Sequence, residues 1–166
     1  GDQYIYDATK SLVSVQNAGT QLANYKYDAL GNRIVITEEG TTTTVLTSGN
    51  DAVYEIVSSA SGDLTTSKYV IVNGKHLAKI VKEGSGSPQK LFHHVDLAGS
   101  VRAVTDINGQ VVERYDYDPF GYVLSSSGNG DETHLFTGKR ADSGTGLTYF
   151  GSRYYDPEIG RFISSD

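Results

Sequence analysis

Short segments rich in Val, Ile, Thr, Tyr and Phe alternate with turn-forming residues along the whole chain. The turn signals, such as Asn-Gly, Asp-Pro and Gly-rich clusters, recur about every ten residues, which is the spacing of successive hairpins. Residues with branched or aromatic side chains favour strands. No window keeps apolar residues at the spacing of a helix face. The pattern therefore predicts an all-β chain of about twelve strands in consecutive antiparallel β-hairpins, with essentially no helix.

Two hairpins are specific enough to predict a register. In "KYVIVNGKHLAKI" the pair Asn73-Gly74 suits a two-residue turn in which both central residues have positive φ. The predicted pairs are Val72 with Lys75, Ile71 with His76, Val70 with Leu77, and Tyr69 with Ala78. This register places four residues on the inward face of the sheet: Tyr69, Ile71, Ala78 and Ile80.

The second hairpin, "VRAVTDINGQVVERYDY", has the pair Asn108-Gly109, for which we predict the same turn. Val104 then lies opposite Glu113, and Arg102 lies opposite Tyr115. We expect Arg102 to contact the Tyr115 ring and to form a diagonal ion pair with Glu113.

A tyrosine-aspartate motif recurs four times. Its copies contain Tyr6 and Asp7; Tyr25, Tyr27, Asp28 and Gly31; Tyr115, Tyr117, Asp118 and Gly121; and Tyr154, Tyr155, Asp156, Gly160 and Arg161. In Y-x-Y-D both rings project from one sheet face. The Asp accepts backbone hydrogen bonds within the turn, and the glycine supplies positive φ. Each copy is therefore predicted to be a strand end, a turn and a strand start, and such repeats indicate an architecture that grows by adding hairpins.

Composition narrows the class of protein. The 166 residues include no Cys, Met or Trp but 12 Tyr, so a disulfide framework and a Cys nucleophile are excluded. The net charge of −6, without a basic run, argues against nucleic-acid binding. No apolar stretch reaches the roughly 20 residues that a membrane span needs, and the first ten residues do not resemble a signal peptide.

The motifs resemble those of RHS/YD-repeat proteins. Residues 91–166 are similar to the RHS repeat-associated core through "HHVDLAGSVRAVTDINGQVVERYDYDPFG" and "FTGKRADSGTGLTYFGSRYYDPEIGRFISSD", and residues 1–90 resemble diverged YD-repeat hairpins. We expect one continuous β structure rather than independent domains. The resemblance implies that these hairpins form part of a spiralling sheet or shell.

The resemblance also implies a structural function. Shells of this family enclose or scaffold a C-terminal effector of a larger secreted or cell-surface protein. The expected partners are this effector or neighbouring YD repeats of the same parent chain, together with self-association through unpaired sheet edges. No cofactor is expected. Two other functions stay open, an aspartyl autoprotease that releases a C-terminal toxin and an extracellular surface or carbohydrate-binding scaffold.

The candidate catalytic residues are Asp156 and Asp166, because aspartyl hydrolysis needs two carboxylates that share one proton. Asp156 also has a structural interpretation, as the residue that starts its Asp-Pro turn. The peptide bond that the resemblance implies is cut lies beyond Asp166, so we expect no self-cleavage by these 166 residues alone. His94 and Asp96 are too few for a structural zinc site, and no metal is expected.

Overall fold

A computed structural model describes residues 1–49 and 51–164. Twelve strands form one sheet: β1 Asp2–Tyr6, β2 Leu12–Asn17, β3 Thr20–Tyr27, β4 Arg33–Glu38, β5 Thr41–Ser48, β6 Asp51–Ser58, β7 Leu64–Val72, β8 Lys75–Glu83, β9 Gln89–Val95, β10 Val101–Thr105, β11 Val111–Tyr117 and β12 Val123–Ser127. A 3₁₀ turn, Phe136–Gly138, precedes a smaller sheet of four short strands: β13 Arg140–Ala141, β14 Thr148–Tyr149, β15 Tyr154–Asp156 and β16 Arg161–Phe162.

The strand order in both sheets is the order along the chain, and the described strands pair antiparallel throughout. The predicted all-β architecture of consecutive hairpins is confirmed. The large sheet runs without interruption across residue 90. The division into diverged repeats and a core segment at that position stays a prediction. Within the described residues no helix is long and apolar enough to cross a membrane.

One five-residue loop recurs at the hairpin turns. In the loop 28–32 the Asp28 N–H donates to the Asn32 carbonyl at 2.9 Å, and the Gly31 N–H donates to the Asp28 carbonyl at 3.1 Å. The Asp28 carboxylate accepts the N–H groups of Leu30 and Asn32, both at 2.9 Å. Between described strands of the large sheet, the same two backbone bonds close six loops: 7–11, 28–32, 59–63, 96–100, 106–110 and 118–122.

The carboxylate bonds in these loops stabilise the charged form of the leading aspartate. Hydrogen bonds from Thr9 and Ser11 lower the pKa of Asp7 below its usual value. Bonds from residues of their own loops lower the pKa of Asp28 and of Asp106 in the same way. These aspartates therefore stay ionised at neutral pH and hold the turns in one conformation.

The two-residue turn predicted at Asn108-Gly109 is not formed, so this prediction is wrong. In the loop 106–110 the left-handed residue is Gly109, with φ of 78°, and Asn108 is not among the residues with positive φ. The reason is that Asp106 starts a five-residue loop two positions earlier, which leaves room for only one left-handed residue. The pairing of Val104 with Glu113 is nevertheless confirmed.

The Asn73-Gly74 turn has positive φ at both central residues, 51° and 72°, as predicted. Its first two pairs are confirmed, but a bulge between Val70 and Ile71 leaves Leu77 without a partner in the ladder. Beyond the bulge Tyr69 pairs with Lys79, so the other two predicted pairs are wrong. Because one extra residue reverses the alternation, the inward placement of Ala78 and Ile80 is also wrong, and Lys79 is buried instead.

One face of the large sheet is covered by residues 132–163, which we call the C-terminal segment. Apolar residues of β2–β5 and of this segment form the main core: Leu12, Val15, Ala23, Tyr25, Ile36, Val45, Leu147 and Tyr154. A second cluster contains Val101, Val104 and Tyr115, with Leu135 of the segment packed against it. Both cores therefore need the segment to be complete.

Tyrosines of the repeat motif lie on the covered face and bond across it. The Tyr27 hydroxyl donates to the Leu12 carbonyl at 2.6 Å, and the Tyr117 hydroxyl donates to the Val101 carbonyl at 2.8 Å. In each case the acceptor is the first residue of the preceding strand, directly after a five-residue loop. The rings of Tyr115 and Tyr117 stack with centroids 6.5 Å apart. These bonds tie the end of one repeat to the start of the strand beside it.

The 3₁₀ turn of the segment docks onto two hairpin loops. The Val101 N–H donates to the Leu135 carbonyl at 3.1 Å, and the Thr137 N–H donates to the Ser100 hydroxyl at 3.0 Å. The Phe136 ring lies against Gly121, where any Cβ would overlap it. Gly121 is thus required twice, by its φ of 91° and by the close approach of this ring.

We expect Gly121→Ala to be more destabilising than Gly109→Ala. Gly109 also has positive φ, 78°, but nothing lies within 4 Å of an added Cβ there. The control should cost about 1–2 kcal/mol from backbone strain, and Gly121→Ala at least about 1 kcal/mol more because it displaces Phe136. Urea unfolding of both variants measures the difference, and equal losses would mean that Phe136 moves freely.

Among the described strands, the terminal strands β1 and β12 each have one unpaired edge, so we expect the isolated chain to self-associate through them. A charge on an edge strand opposes such pairing. Leu124→Lys, at a position 65% exposed on β12, should shift sedimentation towards monomer. Leu97→Lys, at a loop position 98% exposed, is the matched control and should leave association unchanged. A purely monomeric parent chain at high concentration would refute the expectation.

Candidate functional site

Two buried polar clusters attach the C-terminal segment to the covered face. The arginine cluster is formed by Arg33, Asp142, Tyr25, Tyr149 and Tyr154. The histidine cluster is formed by Lys79, His93, His76, Glu132 and His134. Three further residues flank the histidine cluster: Tyr69, Glu55 and Arg140. In each cluster the strands supply one set of partners and the segment supplies the other. These contacts are the candidate site, because they decide where the segment lies.

The arginine cluster is centred on a two-point ion pair. Arg33, at the start of β4, donates through Nη1 to Asp142 Oδ2 and through Nη2 to Asp142 Oδ1, the latter at 3.0 Å. Its guanidinium lies 4.1 Å from the ring centroid of Tyr149, 5.0 Å from that of Tyr25 and 5.5 Å from that of Tyr154. The planar guanidinium matches both the carboxylate fork and the ring faces, which a lysine could not do.

The backbone and the neighbouring hydroxyls fix both partners. The Asp142 N–H donates to the Leu147 carbonyl, and the Gly146 N–H donates to the Asp142 carbonyl, both at 2.8 Å. The hydroxyls of Tyr154 and Tyr27 lie 2.7 Å apart, and Arg33 Nη1 donates to Tyr154 at 3.2 Å. Burial alone would lower the pKa of Arg33, but the Asp142 carboxylate raises it above its usual value. The pair therefore stays charged although it is buried.

Glu38, at the end of β4, is the one carboxylate of this region with an unsatisfied oxygen. It is buried, and its Oε1 has no hydrogen-bond partner among the described residues. Burial first, and then the charge of Asp142, raise the pKa of Glu38 to about 7. A protonated or half-protonated carboxyl group therefore faces the segment at neutral pH.

In the histidine cluster, Glu132 of the segment contacts two basic side chains of the sheet. Its Oε2 lies 2.8 Å from His93 Nε2 and 3.0 Å from Lys79 Nζ. The contact with His93 has ion-pair distance but poor alignment for a hydrogen bond. Burial alone would raise the pKa of Glu132, but His93 and Lys79 hold it well below its usual value. The carboxylate is thus a charged anchor for the first residues of the segment.

Beside this anchor, His134 of the segment stacks on His76 of β8. The ring centroids are 4.4 Å apart with an angle of 20° between the planes. The Tyr69 ring meets both imidazoles edge-on, at 4.6 Å from His134 and 5.2 Å from His76. Burial lowers the pKa of His134 to about 3 and also lowers that of His76. Both rings are therefore neutral at physiological pH.

Glu55 of β6 completes the cluster. Its Oε2 accepts from the Tyr69 hydroxyl at 2.9 Å, and its Oε1 accepts from Arg140 Nη1 at 2.8 Å. A polar cavity of about 330 Å³ lies between β4–β9 and the segment, next to this pair. Within residues 1–49 and 51–164, no group of three or more acidic, His or Cys side chains has the geometry to hold a metal ion. The chemistry of the arrangement is charge pairing and hydrogen bonding that attach one layer to the other.

Of the two residues predicted to carry catalysis, only Asp156 is among the described residues, and it belongs to neither cluster. Asp156 starts the last described turn, and its Oδ1 accepts from the Glu158 N–H at 2.9 Å. Asp166 lies outside the described residues, so the catalytic pair stays a prediction. His94 is exposed and bonds to Thr105 Oγ1 at 3.0 Å, while the Asp96 carboxylate accepts the Ser100 N–H at 2.9 Å.

The contacts predicted for Arg102 are wrong. Arg102 Nη2 donates to Asp116 Oδ1 at 2.8 Å, and its guanidinium lies 5.4 Å from the Tyr117 ring rather than over Tyr115. Glu113 points to the covered face, where it accepts from the Tyr115 hydroxyl and from the Glu132 N–H. The predicted partners therefore lie on opposite faces of the sheet: Arg102 is exposed, whereas Glu113 and Tyr115 are buried.

Sequence reasoning missed most of the two clusters, notably Asp142, Glu132, Lys79 and His93. A usable signal was the single charged residue at an inward position of an otherwise β-type strand, as at Arg33 and Glu55. That signal identifies a buried charge but not its partner, because the partners come from the segment far along the chain.

Three comparisons with known proteins agree with this architecture. The family model described as Teneurin YD-shell matches residues 63–166. The chain is 30% identical over 168 aligned positions to the tRNA3(Ser)-specific nuclease WapA of Bacillus spizizenii, covering 98% of this chain and 7% of that protein. It is 35% identical over 101 positions to Double-stranded DNA deaminase toxin A of Burkholderia cenocepacia, covering 57% of this chain and 7% of that protein.

Among solved structures, the crystal structure of TcdB2-TccC3-Cdc42 superposes with a TM-score of 0.82 at 24% identity. The match covers all of this chain and 9% of that one. A second structure, TcdB2-TccC3 without its hypervariable C-terminal region, gives the same TM-score of 0.82. These likenesses establish the fold, and the chain spans less than a tenth of the length of the relatives and structures named above.

We expect Arg33→Met to cost about 3–5 kcal/mol, because it leaves Asp142 buried without its counter-charge. Arg33→Met combined with Asp142→Leu should recover most of the loss, since the double variant has no unpaired charge. Arg33→Lys should lie between the wild type and Arg33→Met, because it keeps the charge but loses the fork and the ring contacts. Urea denaturation measures all four proteins. A loss below about 1 kcal/mol for Arg33→Met would contradict a central role of the pair.

Glu38 should make stability fall as pH rises. Its pKa of about 7 in the folded chain exceeds the ordinary 4.5, so its stabilising effect is complete below about pH 4.5 and is lost as pH rises through 7. Glu38→Gln should therefore gain on the order of 2 kcal/mol over the wild type at pH 8 and much less at pH 5. The neighbouring, exposed Glu39→Gln is the control and should show no such pH dependence. Denaturation curves of the wild type and both variants at pH 5 and pH 8 measure these differences in the free energy of unfolding.

Proposed function

The chain belongs to the Teneurin YD-shell family, and we propose that it is part of a shell that encloses a C-terminal effector of a larger secreted or cell-surface protein. The family fits the observed chain of hairpins, in which each repeat adds a strand to the same sheet. Its role is then structural, as wall and closure, and the effector supplies the chemistry.

One observation carries the proposal: the chain's own C-terminal segment covers one face of a sheet that is open at both edges. Unpaired edges on β1 and β12 allow further repeats to extend the wall. The segment cannot extend that wall in the same way, because its short strands form a separate sheet on the covered face. The arrangement therefore suits a wall with an internal closing layer.

The position of the last described residues supports a direction for the effector. Ile163 packs against the main core, and its N–H donates to the Tyr154 carbonyl at 3.0 Å. A downstream chain would therefore leave from the covered side of the sheet. We take this side as the inside of the shell and the opposite face as its outside.

The relatives indicate the class of effector. Their names describe nucleases, a deaminase toxin and toxin subunits. Since the chain spans only a small part of each, the named activities belong to those whole proteins. We infer that the enclosed effector here is also a toxin-class protein.

Protease protection of the parent protein tests the proposal. The effector region should resist proteinase K under native conditions while exposed parts of the parent chain are cut, because the shell excludes the protease. The same region expressed alone is the control and should be digested. Arg33→Met in the parent should make the enclosed region sensitive, because the closing layer loses its ion pair.

Digestion of the effector region at the same rate in the parent and in isolation would refute enclosure. Binding of a glycan by an intact parent whose effector region is unprotected would favour a carbohydrate-binding scaffold instead.

A further inference from the structure

The stack of His76 and His134 lies in the contact between the sheet and the segment. One ring belongs to β8 and the other to the segment, so the stack exists only while the segment is attached. Both side chains are buried, with 2% and 3% exposure. An uncharged imidazole pair packs well there, whereas two imidazolium ions 4.4 Å apart would repel each other.

The carboxylates around the stack are already occupied. Glu55 uses one oxygen for Arg140 and the other for Tyr69. Glu132 uses Oε2 for Lys79 and His93, and its Oε1 accepts the backbone N–H groups of residues 133 and 134. The carboxylate oxygen facing the His134 ring, Glu132 Oε1, lies 3.9 Å from Nδ1, so a proton added to that ring would gain only a long contact with a carboxylate that already has other partners.

The surroundings of the stack contain both signs of charge. The titratable and charged groups that face it come from β6, β7, β8, β9 and the segment itself: Asp51, Glu55, Tyr69, Lys79, His93, Glu132 and Arg140. The Nδ1 of His76 has no hydrogen-bond partner in the described part of the chain, and Nδ1 of His134 meets the Thr133 hydroxyl at 3.3 Å. Burial is the main cause that opposes charging of the stack, Arg140 adds to it at His134, and the carboxylates of Glu55 and Glu132 offset it only in part.

We propose that acidification weakens the attachment of the C-terminal segment to the sheet by protonating the His76–His134 stack. Once the segment detaches, both rings reach water and can accept protons freely. Acid therefore favours the detached state, and neutral pH favours the attached one. In a shell of the kind proposed above, this makes the closing layer the acid-sensitive part of the wall.

The size of the effect follows from proton linkage. The folded pKa of His134, about 3, lies below the ordinary 6.5, so its contribution is complete above pH 6.5 and is lost as pH falls towards 3. At pH 5 this residue alone shifts the equilibrium about thirtyfold towards detachment relative to pH 8. His76 acts in the same direction, because its pKa is also lowered.

Glu38 acts in the opposite direction over the same range, because its raised pKa favours attachment in acid. The test therefore uses Glu38→Gln as the background, which removes this opposing group. At pH 5 the carboxylates of Glu55 and Glu132 remain ionised, since their pKa values are lowered. His76 and His134 stay neutral more readily in the attached state than in the detached state, so over this range acid favours detachment through these two rings.

Hydrogen exchange at the Val101 amide reports detachment, because its acceptor is the Leu135 carbonyl of the segment. In the Glu38→Gln chain, the opening equilibrium corrected for intrinsic exchange should rise at least about thirtyfold from pH 8 to pH 5. Adding His134→Gln should reduce that rise by about an order of magnitude or more. Adding His94→Gln, at an exposed histidine of β9, should leave it unchanged.

If His134→Gln does not fold, His76→Gln serves as the second variant and should also reduce the rise. An equal rise with and without the buried histidines would overturn the proposal, as would the absence of any rise. Neither result would bear on enclosure, which the protease experiment tests separately.

Discussion

The ion pair between Arg33 and Asp142 joins two parts of the chain that are 109 residues apart, and much of the remaining structure depends on it. The sheet grows by local hairpins, whereas the segment has to be placed by contacts across the whole chain. A two-point pair surrounded by three tyrosine rings fixes both the position and the orientation of the segment. With the segment in place, Leu147 and Tyr154 complete the main core.

The histidine cluster attaches the segment at a second place, through a combination of charge pairing and ring packing. Glu132 is held by charge, while His134 is held by ring packing that depends on neutrality. Buried ionic groups add little net stability over well-packed apolar residues, but their partners are specific. Two such clusters therefore select one position of the segment among the many that a broad sheet face would accept. This specificity suits a closing layer that has to meet the wall in one way.

The five-residue loops explain how one motif builds the wall. Each loop closes itself by two backbone bonds, and in most the leading aspartate stabilises the turn through its carboxylate. The geometry of a turn therefore needs no support from neighbouring hairpins. The tyrosine before the aspartate then connects successive strands by donating to the first carbonyl after the previous loop, as at Tyr27 and Tyr117. Turn chemistry is local, and strand-to-strand tyrosine bonding makes the repeats cooperative.

The sequence by itself determined the features that depend on neighbours along the chain. The order of the hairpins was predicted from strand propensity, turn residues and the repeat spacing, and the turn at Asn73-Gly74 was predicted from that pair. Both features depend on the local conformational energies of the backbone. The bulge was not predictable in this way, because no turn residue marks its position in the sequence. It leaves the exposed Leu77 without a partner and places Lys79 instead of Ala78 on the covered face. The partner of Arg33 and the stacking of His76 on His134 were decided only by tertiary structure. Buried charges require a counter-charge or a hydrogen-bond partner, but only the folded chain brings a residue of the segment within reach of the strand it pairs with.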